Sequence, residues 1–414
     1  MAVLEKDKNI LRALGEKIAR IAALPVHAQK AEMWRRLNRL QKVRPMVWIN
    51  EICWHEFGED VRPQTQDPLC RAVEENLRQI LHQWEHFGCD MVVEGKVWCD
   101  LVIRDTGFGI EINAVIPEGG VGSMDFVPVL RDEKDLKKIR TPELTVDWEA
   151  TERNFETLSE IFDGVLPVEK RGGQFRYWFA PWDHLVTWWG VTELYTDMID
   201  RPEFVHRGIA RMCEATGAIM DQLESQNALS LNNGNNRVGS GGLGFTDELP
   251  RKDFDGKRVR PVDLWGTSTS QIFSEVSPEM HEEFALQYER PWLARFGLNC
   301  YGCCEPLDRK IHILKSIHNL RRISMSRWVN IERAAAQIQD KYIFSYKPNP
   351  AILAGSAWNP AQLRRDIREA LEKTRGCRVE LILKDITTVS NEPRRLWKWA
   401  EITMEEVEKF AQTL

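Results

Sequence analysis

The chain has 414 residues, 43% of them hydrophobic and 29% charged, with a formal charge of -6. That is enough for a large core, and acidic and basic residues mixed along the chain exclude the basic footprint of a nucleic-acid or membrane-surface binder. No apolar run approaches the ~20 residues of a membrane helix, the N-terminus lacks the apolar block of a secretory signal, and nine scattered cysteines read as reduced thiols, so a cytoplasmic protein with a small-molecule or protein partner is expected.

Apolar residues at helical spacing (Leu11, Leu14, Ile18 and Ile21, then Met33, Leu37 and Leu40 after Pro25) predict two helices over Lys6–Arg39. They form an extension, 1–44, that caps one end of the main body. Pro45–Asn50 reads as a strand, followed by a loop dense in functional side chains (Glu51, Cys53, Trp54, His55, Glu56) and a helix over Cys70–Phe87. Asp90–Gly95 is a further strand candidate, and the alternation in WCDLVIRD and GIEINAVI predicts a β-ribbon insertion over Trp98–Gly122.

A helix over Trp148–Phe162 precedes a strand at Phe175–Ala180, whose loop PWDHLVTWWG carries Asp183 and His184. Helices at Val191–Ile199 and Glu203–Glu224 lead to a strand at Ala228–Asn232. The following NNGNNRVGSGGLG reads as a lid or binding loop, because its glycines and asparagines permit tight turns and positive φ. It is not a phosphate cradle, since neither G-x-x-x-x-G-K-[ST] nor G-x-G-x-x-G before a helix is present.

From Pro278 the alternation is regular. Helix Pro278–Phe296 leads to strand Leu298–Cys303, helix Leu307–Ile317, strand Arg322–Ser326 and helix Asn330–Gln337. Strand Tyr342–Tyr346, helix Pro360–Lys373, strand Arg378–Lys384 and helix Glu392–Leu414 complete it. Short strand-to-helix spacing requires a parallel sheet, and a count of about eight strands is the number that closes a barrel. The expected fold is therefore α/β, a single (β/α)8 TIM-barrel domain over 1–414 with N-terminal helices and a β-ribbon insertion.

The densest functional stretch is GLNCYGCCEPL, Gly297–Leu307. In a strand over Leu298–Cys303, Tyr301 and Cys303, with Glu305 in phase beyond them, share one side, and Cys300, Gly302 and Cys304 take the other. A thiolate and a carboxylate at the C-terminal end of a parallel strand are ligands that zinc accepts. Reduced cysteines packing as small apolar residues account for the same pattern, and no C-x-x-C pair stands nearby.

Three stretches carry a family resemblance. MIDRPEFVHRGI (Met198–Ile209), SEVSPEMHEEFALQYERPWL (Ser274–Leu293) and NCYGCCEPL resemble the D-x-P-E-x-V-H, S-P-x-x-F-x-E-F-x-x-P-Y and H-x-C-G motifs of the uroporphyrinogen decarboxylase superfamily, in its branch of cobalamin (corrinoid)-dependent methyltransferases. WINEICWHEF stands where the decarboxylase carries an arginine-rich M-R-Q-A-G-R loop, which sets the tetrapyrrole substrate aside. The chain resembles the members that demethylate methoxyarenes, which implies O-demethylation of a methoxylated, aromatic substrate with transfer of the methyl group to the Co(I) corrinoid of a separate carrier protein. The D-x-H-x-x-G loop of carrier domains is absent, so the corrinoid would arrive on a partner, docking over Trp98–Gly122 and Asn232–Gly244. The alternatives are transfer from a methyl-corrinoid to a thiol or pterin acceptor, and decarboxylation of a small acid.

Relatives that methylate a thiol hold zinc with His-x-Cys and a later Cys. Here Tyr301, Cys303 and the Lys384–Asp385 pair stand in those places, leaving Cys303, Glu305 and Asp385 as the expected metal or acid centre. An aryl methyl ether must leave as phenolate, and an acid or Lewis acid on its oxygen commonly gives roughly 10²–10⁴-fold. The catalytic candidates are thus Cys303, Glu305, Asp385 and Tyr301. The substrate-binding candidates are Glu51, Trp54, His55, Asp183, His184, Trp265, Trp328 and Lys384, the lysine stabilising phenolate charge as it develops. The excess of 16 Trp over 6 Tyr suits an aromatic-walled cavity, although packing of helix on sheet accounts for any single tryptophan.

Overall fold

The structure, a computed structural model, describes residues 3–115, 125–173 and 178–413. Among these, seven strands form one sheet in the order Met46–Ile49, Arg378–Leu383, Ile343–Tyr346, Leu320–Met325, Leu298–Tyr301, Trp265–Ser268 and Trp178–Phe179, every neighbouring pair parallel. Parallel strands need a crossover, and helices such as Ile331–Ile338 and Pro360–Lys373 supply it. Several start by one device, a capping side chain followed by proline. Asp67 accepts from Cys70 N before Pro68, Ser277 from Met280 N before Pro278, and Asn359 from Gln362 N before Pro360.

The two faces of the sheet differ in chemistry. Val47, Ile49, Ile323, Phe344, Leu381 and Leu383 join the core under the helices, whereas the alternate residues Met46, Ile343 and Ile382 pack on Trp34, Leu243 and Phe245. In phase with Ile382 on that second face, Glu380 pairs with Arg322, Oε1 to Nε at 3.1 Å, both side chains wholly buried. Asn38 Oδ1 accepts from Arg322 Nη2 at 2.8 Å, and Gly242 N donates to Glu380 Oε1 at 3.0 Å. Such partners are what a buried ion pair needs in order to offset its desolvation.

The glycine-rich loop is therefore not a lid over the sheet but a plug against it. Residues Ser240–Thr246 are buried. A Cβ on Gly241 would lie 2.3 Å from Arg322 Cδ, and one on Gly242 would lie 2.5 Å from the Trp34 ring. Glycine is needed here for close approach, which also removes this part of Asn232–Gly244 as a docking surface.

The elements differ from expectation at five places. Asp90–Gly95 forms no ladder; Asp90 instead clamps the edge strand, its N donating to Val47 O at 2.9 Å and its Oδ2 accepting from Val47 N at 2.7 Å. Ala228–Asn232 is likewise no strand, because the Asn232 amide does a strand's work: Oδ1 accepts from Trp265 N at 2.9 Å and Nδ2 donates to Trp265 O at 3.0 Å. Trp265–Ser268 is a strand without an alternating pattern, since all four residues are buried. The loop PWDHLVTWWG is largely helix, Pro181–Trp189, burying Trp182, Leu185, Trp188 and Trp189.

The ribbon expected over Trp98–Gly122 is replaced by three separate pairings. Val97–Asp100 runs parallel to Val168–Arg171, Ile103–Asp105 antiparallel to Leu144–Val146, and Ala114–Val115 antiparallel to Asp125–Phe126. Alternation marks a strand but does not choose its partner. The expected ribbon residues 116–122, and 175–177 of the expected strand before Pro181, lie outside the described residues. No described helix is long and apolar enough to cross a membrane.

Candidate active site

The strand Leu298–Tyr301 stops one residue before the first of the adjacent cysteines, at Gly302, whose φ is 94°. A side chain is disfavoured there by the backbone and by space, since a Cβ would lie 2.6 Å from Leu307 Cδ1. The turn breaks the two-residue alternation. Tyr301 and Cys303 consequently do not share a side: Tyr301 enters the helical core, while Cys303 lies against the glycine-rich loop.

Cys303 Sγ is held by three donors. Ser240 Oγ lies at 2.9 Å, Lys384 Nζ at 3.3 Å and Cys304 Sγ at 3.5 Å. Lys384, itself at a strand end, also reaches Asp385 Oδ1 at 3.1 Å, Glu51 Oε2 at 3.4 Å and Cys304 Sγ at 3.8 Å. Glu51 Oε1 turns to Arg237 Nη1 at 2.5 Å. Glu51 and Asp385 both adopt left-handed backbone, with φ of 51° and 57°, and are tied together by Ile386 N donating to Glu51 O at 3.2 Å. Two such strained residues side by side at the C-terminal strand ends fit a built site.

These contacts set the protonation states. The hydrogen bond from Cys304 lowers the Cys303 thiol, burial opposes it, and Lys384 adds to the lowering, leaving Cys303 at about 7. The same contact pushes Cys304 upward, so Cys303 is the more readily ionised of the pair. Burial works against the charge on Lys384, but Cys303, Cys304, Asp385 and Glu51 hold it above the ordinary lysine range. Burial likewise opposes ionisation of Glu51, and Arg237 and Lys384 override it, holding the carboxyl at about 2. The result is an ammonium beside a thiol that ionises near neutrality.

Both open onto a cavity of about 370 Å³ whose lining includes Glu51, Arg237, Trp178 and Trp265. Its size is that of a small-molecule site. A larger cavity of about 640 Å³, lined by Trp48, Val92 and Trp98 among others, shares none of these residues.

Glu305 stands behind the thiol. It is wholly buried and accepts from Cys303 N at 2.6 Å, Thr269 Oγ1 at 2.6 Å and Ser270 N at 3.2 Å, so it fixes the loop that carries the sulfur. Among the described residues, no group of three His, Cys, Asp or Glu is placed to hold a metal ion. Cys303, Glu305 and Asp385 do not converge as expected, because Glu305 is committed to those donors and the Lys384 ammonium bridges Cys303 and Asp385. A divalent ion bound there would meet that ammonium at contact distance, so this donor set does not fit zinc.

The remaining candidates scatter. Tyr301 donates to Glu289 Oε2 at 2.6 Å and lies 2.6 Å from His281 Nε2, in a wholly buried network outside the cavity. Trp54 packs on Phe57 and Phe87, and the His55 side chain is 72% exposed beside Glu56. Asp183 Oδ2 accepts from Gln271 Nε2 at 3.0 Å, and His184 packs on Phe108. Trp328 is 69% exposed, with the Arg327 guanidinium on its ring. Of the substrate-binding candidates, Glu51, Trp265 and Lys384 line the cavity; Ser240, Arg237 and Trp178 are the residues sequence reasoning missed. Ser240 and Arg237 lie in the loop marked by its glycines, but only its inward course brings them to Cys303 and Glu51.

Comparison of the sequence with protein-family models and with curated proteins finds no match. Among solved structures, a methyltransferase from Methanosarcina mazei is similar at 10% identity and a TM-score of 0.47, the match covering 92% of this chain and 98% of that one.

Proposed function

We propose that the chain is a methyltransferase that removes the methyl group of a methoxylated aromatic compound and delivers it to the Co(I) corrinoid of a separate carrier protein. The observation that carries this reading is Lys384, its ammonium in contact with Cys303, Asp385 and Glu51, at the wall of a cavity also lined by Trp178 and Trp265. The tryptophan faces suit an arene, and a cation aimed at the ether oxygen stabilises phenolate as it forms. Lys384 acts here as a fixed charge and not as an acid, because its neighbours hold its proton. Asp385 Oδ1, 3.1 Å from Lys384 Nζ, helps to hold that charge in place. A corrinoid on the carrier would supply the nucleophile that takes the methyl group. In this reading the sheet is the greater part of a (β/α)8 barrel, one edge extended by Asp90 beside Val47, with Asn232 bonded to Trp265 in the strand next to the other edge.

The test is incubation with reduced carrier and a panel of methoxyarenes, following methyl-cobalt absorbance. Lys384→Met should lower kcat by roughly 10²–10³-fold. No methyl-cobalt with any substrate would sink the proposal. One observation favours a second reading, decarboxylation of a small acid: Arg237 and Lys384 both line the cavity, as a carboxylate requires. Release of carbon dioxide without corrinoid would establish it instead.

A further inference from the structure

We infer that Cys303 and Cys304 form a vicinal dithiol site for uncharged trivalent arsenicals, independently of the methyl-transfer reading. The two sulfurs lie 3.5 Å apart, a separation that one soft, three-coordinate centre bridges. No disulfide joins them, and among the described residues no other two cysteine sulfurs are hydrogen-bonded to each other. Access exists from both sides: Cys303 lines the cavity, and Cys304 is only partly buried.

The surroundings select the ligand's charge. Lys384 Nζ lies 3.3 Å from one sulfur and 3.8 Å from the other, which disfavours a divalent cation and leaves a neutral electrophile unopposed. Soft thiolates favour soft partners. In the binding step two As–S bonds form and the As=O bond of an arylarsine oxide breaks. The oxygen leaves as water, taking the Cys304 thiol proton and a second proton from Cys303 or, where that sulfur is already ionised, from solvent; arsenic remains trivalent, so no oxidant or reductant is consumed. The aryl group then points toward Trp178 and Trp265, the arsenic side of the cavity being Cys303.

Phenylarsine oxide, titrated into the full chain, is the probe. The expected result is one adduct per chain with loss of two titratable thiols, retained in excess 2-mercaptoethanol and released by dithiothreitol. Cys304→Ser should weaken retention by roughly 10²-fold or more, because the second bond is then lost as an intramolecular event, whereas Cys377→Ser should not change it. Peptide mapping of the unsubstituted adduct reads the site without relying on a variant. Arsenic on any other cysteine, or full retention by a folded Cys304→Ser chain, overturns the inference.

Discussion

Lys384 Nζ and Cys303 Sγ lie 3.3 Å apart although 81 residues separate them in the chain. Each stabilises the other's charged form, and a pair of this kind is worth more in a buried cleft than at an exposed surface. The pairing makes the thiol titratable near neutrality.

Replacing Lys384 with Met should raise the Cys303 pKa from about 7 by about one unit or more. In the parent chain the thiolate is lost as pH falls through that value, so alkylation of Cys303 by iodoacetamide should slow below it. The rate, followed by mass spectrometry of the Cys303 peptide over about pH 5 to 9, should shift to higher pH in the variant. Superimposable profiles would contradict the role given to the ammonium.

Asn232→Leu keeps the branching at Cγ and removes both amide contacts to the Trp265 backbone. Stability should fall by about 1–3 kcal/mol, the cost of leaving a buried backbone group unpaired. A urea midpoint unchanged from the parent would show that the side chain is not standing in for a strand.

Two glycines should respond oppositely to alanine. At Gly242 a Cβ meets the Trp34 ring at 2.5 Å, so Gly242→Ala should cost about 1–3 kcal/mol. At Gly217, inside the helix Pro202–Ser225, a Cβ meets nothing within 4 Å, so Gly217→Ala should gain about 0.5–1 kcal/mol. Thermal midpoints separate the two.

Burial raises Glu289 from 4.5 to about 7, against the hydrogen bonds from Tyr301 and Ser270. A carboxyl raised on folding favours the native state only while protonated, so its contribution is complete below about pH 4.5 and is lost as pH rises through about 7. Glu289→Gln stays neutral throughout. Its stability relative to the parent should therefore climb across that window by up to about 3 kcal/mol, read from urea unfolding at several pH values.

Much of the architecture follows from local pattern. The helical spacing of Leu11, Leu14 and Ile18 lies within the observed Glu5–Ala22, and the β-α alternation after Pro278 gives the parallel strands Leu298–Tyr301, Leu320–Met325, Ile343–Tyr346 and Arg378–Leu383. These are properties of adjacent residues, which a backbone of period 3.6 or 2 displays in the sequence itself. The same pattern failed at Trp265–Ser268, buried on both faces and so without alternation, and at Ala228–Asn232, apolar but paired through an amide.

By itself, then, the sequence determined the succession of helices and parallel strands and put Cys303, Lys384 and Glu51 at strand ends, where side chains of an α/β protein meet. Tertiary structure alone decided what they meet. The positive φ of Gly302 sent Tyr301 into the core and Cys303 to the loop, the inward packing of Gly241 and Gly242 delivered Ser240 to the sulfur, and Lys384 took the place intended for a metal. Those outcomes depend on close approach between segments far apart in the chain, and spacing along a sequence carries no record of distance across a fold.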